Sequence, residues 1–529
     1  MDAGVWATCT APVAYTGLSA GSHTFGVRAT DTAGNISAAT THTWTVDAGL
    51  PSANISFPDA GRPYNDATYS AGCSTPAGDI CGTASDPQGN LTGVDVSIQR
   101  AGTSLYWNGS SFSSTTEVFL PATGTTSWSY AIAPTSFPAE GSYTFRARAT
   151  DGVGLHGFDT LSLTIDRTAP TTPAITSGPT GTTAGSADSF SFTGETGAGF
   201  ECHLDAITWT SCTSPKTYGT LANGSHTFEV RAIDGAGNTG ASTSRTWTVD
   251  ATAPTIGTTF PDTGGRYNNT TYDAGCVPAT GDICGTASDT PSGVSKVEIS
   301  VQRASTGLYL TGTTFTAASQ NWITATGTTS WSYALAATSF PADGTYTLVV
   351  RATDAVGNAN TTSTAFIIDR IKPTGVGFTT NNFSTPRKLE AGDTYTLTYS
   401  EAVAPASIIA GWNGLTTKNV VVRAANSSSK DKLTIYDATN TTLLPLGTVN
   451  LRGNYVSQAR TFGLPGTPST LTMSGSSLTI TLGTPSATIT TVATAAANAT
   501  WTPAIGATDL AGNAAATTIY TENDLDNDF

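Results

Sequence analysis

The chain has 529 residues, a formal net charge of −15 at pH 7, and charged residues at only 12% of the total. Its 23 lysines and arginines, spread over that length, provide no basic surface for a nucleic-acid duplex. No apolar run is long enough to span a membrane. Hydrophobic residues at 38% and aromatics at 9% suffice for packed cores. The abundance of Thr, Ser, Ala, Gly and Val, with little Lys, Glu or Leu, favours strands and turns over helices. That composition argues against a parallel α/β enzyme fold.

In chain order, residues 22–29 alternate apolar and polar, the pattern of a half-buried strand. Asp31 to Asn35 is a tight turn in which Gly34 takes φ > 0 and Asp31 bonds its own backbone. Residues 41–46 are the returning strand. Ile80–Asp86 and Val94–Ile98 read as a further strand pair around a turn. The chain then repeats itself. Arg28-Ala-Thr-Asp31-Thr-Ala-Gly-Asn35 recurs at Arg231–Asn238 with Asp234, Arg148-Ala-Thr-Asp151 recurs at Arg351–Asp354, and a last copy surrounds Asp509. Ala122–Ala131 is repeated letter for letter at Ala325–Ala334, and Cys9, Cys73 and Cys81 match Cys212, Cys276 and Cys284 at the same offset of 203 residues. A long repeat therefore holds two unlike modules.

Asp47, Asp166, Asp250 and Asp369 each end a β run and precede a proline by four positions. Each reads as the close of a module followed by a short stiff linker. The expected modules are 1–47 (partial), 48–167, 168–250, 251–370 and 371–529. Short strands at regular spacing make the expected fold class all-β, as tandem antiparallel β-sandwiches in an extended array.

Residues 21–35 (Gly-Ser-His-Thr-Phe-Gly-Val-Arg-Ala-Thr-Asp-Thr-Ala-Gly-Asn), their copy at 224–238, and Phe200-Glu-Cys202-His-Leu-Asp205 with Trp209 and Cys212 make the chain resemble bacterial immunoglobulin-like repeats of secreted and cell-surface proteins. The resemblance covers 1–370. Residues 371–529 resemble a different bacterial immunoglobulin-like type, through Tyr395–Glu401 and the Asp509 turn. It implies immunoglobulin-like sandwiches and an extracellular or cell-surface location.

Six of the seven cysteines fall into close pairs, Cys73/Cys81, Cys202/Cys212 and Cys276/Cys284. Metal ligation calls for tighter clusters with histidine nearby, so disulfides are the better reading, and they imply an oxidising compartment. Cys9 is left over. Residues 1–9 align with 204–212, so its partner corresponds to Cys202, one position before Met1, and the sequence reads as beginning inside a module.

Chemistry is sparse. Five histidines, no His-Glu-x-x-His, no Gly-x-Ser-x-Gly and no phosphate loop argue against an enzyme. His23 and His226, at equivalent strand positions, are expected at the surface. Leu464-Pro-Gly-Thr-Pro468 departs from a sortase signal at its last position and reads as a loop. The aspartates are the best site candidates. In such a sandwich Asp47, Asp86 and Asp151 should meet at a joint, and Asp250, Asp289 and Asp354 at its copy. Asp166, Asp234, Asp369 and Asp509 are candidates of the same kind. Converging carboxylates suit Ca²⁺, a cation with six to eight oxygen ligands; the alternative is that each aspartate only caps its own turn. Asn35, Asn238 and Asn358 share the two readings. Trp107 becomes Leu310 in the copy, so it is expected to be exposed and able to stack on a ligand, whereas Trp128 and Trp331 are expected inside. The functional expectation is a non-catalytic stalk or adhesive segment of a surface protein. The rivals are an array of modules binding a glycan or protein, and an accessory region of a secreted hydrolase.

Overall fold

The computed structural model describes residues 1–73, 80–185, 187–276, 283–427, 430–493 and 498–523. The chain divides into two compact units, Met1–Val249 and Asp250–Phe529.

The first unit opens with an antiparallel hairpin, Gly21–Val27 against Thr40–Val46. Next, strands Ser52–Phe57, Ile80–Ser85, Ser127–Tyr130 and Thr123–Gly124 form a small sheet, and Leu91–Arg100, Gly141–Asp151 and His156–Ile165 form the centre of a seven-stranded one. Apolar residues alternate along these strands, as in Tyr143, Phe145, Ala147 and Ala149, which are all fully buried. They share one core with Trp128, Ile80 and Tyr69 from the other side. Strands 174–218 (three, antiparallel) and 182–249 (five) repeat the two-sheet arrangement around Phe190, Phe228 and Trp247. The first hairpin has nearly the same sequence without that cover. Phe25 and Trp44 are only half-buried and Val27 is exposed, whereas their counterparts Phe228, Trp247 and Val230 lie inside.

The second unit begins with a near-copy, a three-stranded and a seven-stranded sheet between Thr255 and Ile368. Its last part, from Gly375 to Thr521, is one ten-stranded sheet around a single core that includes Tyr395, Tyr399 and Trp501. Its hydrogen bonding is continuous because Lys418–Ala425 pairs with Lys432–Asp437, Ser469–Ser474 and Arg460–Phe462. Among the described residues, strand pairing is antiparallel apart from three two-residue edge pairs, such as Pro63–Tyr64 along Thr164–Ile165.

Two short helices interrupt the strands at equivalent places, α1 (Asp66–Ser70) and α2 (Asn269–Asp273). Each starts at a capping box. Asn65 accepts from the Thr68 N–H while the Thr68 hydroxyl oxygen accepts from the Asn65 N–H, and Asn268 and Thr271 do the same. Disulfides join Cys73–Cys81, Cys202–Cys212 and Cys276–Cys284, and Cys9 is free and exposed.

Candidate cation sites at the repeat joints

The Asp31, Asp151, Asp234, Asp354 and Asp509 turns are built alike. In each, one carboxylate oxygen accepts backbone N–H groups two and four residues on; for Asp234 these are Ala236 and Asn238, at 2.9 and 2.8 Å. In four of the five, an asparagine amide then bonds the other oxygen, from Asn35, Asn238, Asn358 and Asn513. Three of those amides also reach the backbone carbonyl of the aspartate that closes the preceding β run: Asn238 to Asp166, Asn358 to Asp250 and Asn513 to Asp369. The asparagines serve through their N–H₂ groups.

Three such turns gather acids. Asp47, Asp86 and Asp151, then Asp250, Asp289 and Asp354, then Asp369, Glu401 and Asp509, each present oxygens within 4.8 Å of one another. Asp151, Asp250, Asp354 and Asp509 are buried. Each group combines the end of a strand, the first acid after a later strand, and a turn aspartate. Asp86 follows Ile80–Ser85, Asp289 follows Ile283–Ser288, and Glu401 lies two residues beyond Thr394–Tyr399. Glu401 is the member the sequence reasoning missed. Its signal was present, an acid directly after that strand, but it is a glutamate outside the 203-residue register.

The electrostatics differ. Burial pushes the Glu401 carboxyl up to about 7, with Asp369 and Asp509 adding to the effect. Asp369 is also raised, by burial first and then by Asp509 and Asp343. For Asp250, burial acts upward, but hydrogen bonds from Ser292 and Thr252 outweigh it and hold the carboxyl below the ordinary range. In the first group Asp86 Oδ1, Asp151 Oδ2, Gln88 Oε1 and Asn90 Oδ1 are buried without a hydrogen-bond partner, as is Glu401 Oε1 in the third.

Asp166 and Asp234 join no such group among the described residues. The acid that follows the corresponding strand, Glu195 after Asp188–Thr193, is exposed and accepts from the Thr171 N–H instead. At this joint the contacts come from α1. The Thr68 hydroxyl donates to the Ala236 carbonyl at 2.9 Å, and the Asn65 N–H points to the same oxygen. Gly237 (φ +95°) permits the approach, since a Cβ there would lie 2.9 Å from Thr68 Cγ2.

Two expectations are corrected. Trp107 is buried, not exposed; its indole N–H donates to the Tyr130 hydroxyl at 3.0 Å, and Leu310 fills the same interior place in the copy. The substitution of one apolar residue for another reflects a core position that accepts either. His23 and His226 are buried, not on the surface, because each ring is held between a carboxylate (Asp2, Asp205) and a backbone carbonyl (Ser19, Ala222). Trp128 and Trp331 are inside. The faces of Trp6, Trp209 and Trp322 are each covered by an arginine, Arg28, Arg231 and Arg351.

The profile of the bacterial Ig-like domain family matches residues 285–370. No curated protein matches the sequence. Among solved structures, the chain is similar to a tetra-tandem repeat from the extending region of a large adhesion protein, at 16% identity and TM-score 0.25, over 90% of this chain and 100% of that one. It is also similar to a calcium-stabilised adhesin of an Antarctic bacterium, at 15% identity and TM-score 0.29, over 83% and 99%. Fibronectin(III)-like modules of Clostridium thermocellum CbhA match at 17% identity and TM-score 0.24, over 37% and 94%. Among the described residues no helix is long and apolar enough to cross a membrane.

Proposed function

We propose that this chain is a non-catalytic spacer of a bacterial cell-surface or secreted protein, whose immunoglobulin-like repeats are stiffened by Ca²⁺ at their joints. The observation that carries the reading is the recurrence of three carboxylates within 4.8 Å at three equivalent places. Carboxylates so close repel one another when ionised, and a divalent cation relieves that repulsion. The donors are all hard oxygens, with no cysteine or histidine in any group, which suits Ca²⁺ rather than a softer metal. At the first and third sites the ion would tie the last strand of one repeat, ending at Asp47 or Asp369, to two turns of the next. The ion would then resist bending and local opening there.

The test is thermal unfolding in calcium and in chelator. A ligand bound only by the folded state adds about 2.7 kcal/mol per site at a hundredfold excess over its dissociation constant. Unfolding indifferent to chelator would leave the aspartates as turn caps alone. Small-angle scattering tests the spacer role separately: a rod of such repeats has a radius of gyration of about 50 Å, and a compact chain of this length about 24 Å.

A further inference from the structure

The three acidic groups are not equally prepared for a cation. At the second, the chain's own donors already occupy both oxygens of Asp250 and of Asp354 and one oxygen of Asp289. Asp354 accepts three backbone N–H groups on one oxygen and the Asn358 amide on the other. Asp250 accepts from Thr252 and Ser292, and Asp289 from the Ser292 hydroxyl and the Gly293 N–H. At the first, the residue equivalent to that asparagine is Leu155. Asp151, only 1% exposed, therefore keeps Oδ2 without any partner. The turn that follows Asp86 supplies two more buried oxygens without partners, on Gln88 and Asn90. Both side chains lie at this site. The Asn90 amide N–H donates to Asp47 at 2.6 Å, which places its Oδ1 beside the group, and Gln88 lies against Gly49, two residues past Asp47. The second site has Thr290 and Ser292 in the corresponding turn, with no amide side chain.

We infer that the first site is the calcium site of highest affinity, and that Gln88 and Asn90 complete it with amide oxygens alongside Asp47, Asp86 and Asp151. This rests on the calcium reading above. A buried oxygen without a partner has lost its hydration and gained nothing in return. A cation supplies what is missing at the first site. At the second it must compete with hydrogen bonds the protein already makes. Leu155 is thus a specificity-determining residue: by lacking an amide, it leaves the turn aspartate open.

Hydrogen exchange on the full-length protein, read by mass spectrometry during a calcium titration from chelator upward, reports the sites one by one. Segment 86–90 should become protected at about tenfold lower calcium than segment 289–293, a difference of about 1.4 kcal/mol in binding. Leu155→Asn installs the residue found in the other four turns, so it should fold. It should raise the midpoint at 86–90 by about tenfold and leave that at 289–293 unchanged. Coincident midpoints, the reverse order, or no response to Leu155→Asn would overturn the ranking while leaving calcium binding intact. Absence of protection at both segments would overturn the calcium reading and this inference with it.

Discussion

Two joints of the first unit start from the same turn and finish differently. After Asp166, the Asp234 turn docks on α1 of the preceding repeat, and its asparagine reaches back to the Asp166 carbonyl. After Asp47, the preceding hairpin offers no helix, the asparagine is replaced by Leu155, and three carboxylates converge instead. The glycines record the difference. A Cβ on Gly237 would collide with Thr68, whereas Gly34 and Gly154 have nothing within 4 Å. One turn motif thus serves either a joint made by protein alone or one that gathers charge, according to what precedes it. The joint after Asp369 uses both devices. The Thr271 hydroxyl donates to the Ala511 carbonyl, and Asp369, Glu401 and Asp509 meet.

The largest effect is expected from removing the turn carboxylates one at a time. Asp151→Ala and Asp234→Ala should each destabilise the first unit by about 3 kcal/mol, since two backbone N–H groups lose a charged acceptor in each. Only Asp151→Ala should also change the response to calcium. Denaturant unfolding with and without chelator separates the two, and an equal loss of calcium response in both variants would contradict the distinction.

The third joint is sharpened by pH. Glu401 holds its proton to about pH 7 when folded, against an ordinary value of 4.5. Between those values the folded state binds more protons than the unfolded one, so stability falls as pH rises through the window. In chelator the second unit should lose on the order of 2 kcal/mol from pH 4.5 to 7.5, and Glu401→Gln should flatten that slope. Calorimetry across pH would show it.

Gly237→Ala should cost about 2 kcal/mol, combining the strain of positive φ with the collision at Thr68, and Gly34→Ala about 1 kcal/mol from φ alone. Equal losses would mean that α1 does not seat against the turn. Thr68→Val should likewise cost about 1 kcal/mol, since it removes the hydroxyl half of the capping box and the bond to Ala236 while the Thr68 N–H bond to Asn65 remains. Its effect on melting should be the same in calcium and in chelator.

Much of this molecule is written locally and so can be read locally. Strand alternation, turn chemistry and the 203-residue repeat depend on neighbours a few positions apart, and they determine an all-β fold of repeated immunoglobulin-like character. They also bring Asp47, Asp86 and Asp151 into one expectation, because an aspartate at a strand end or turn keeps its place whenever the strands pair in register. Tertiary structure decided the rest, through contacts between residues far apart in sequence. Trp107 and His226 went inside because a partner hydroxyl and a partner carboxylate were waiting there. Among the described residues Asp166 and Asp234 join no acidic group, and Glu195 accepts from the Thr171 N–H instead. Glu401 joined the third group although no register pointed to it. Whether a turn aspartate faces a helix cap, an amide or two other carboxylates depends on which repeat stands before it. That is a property of packing between elements, and it is invisible to any window of sequence short enough to hold one turn.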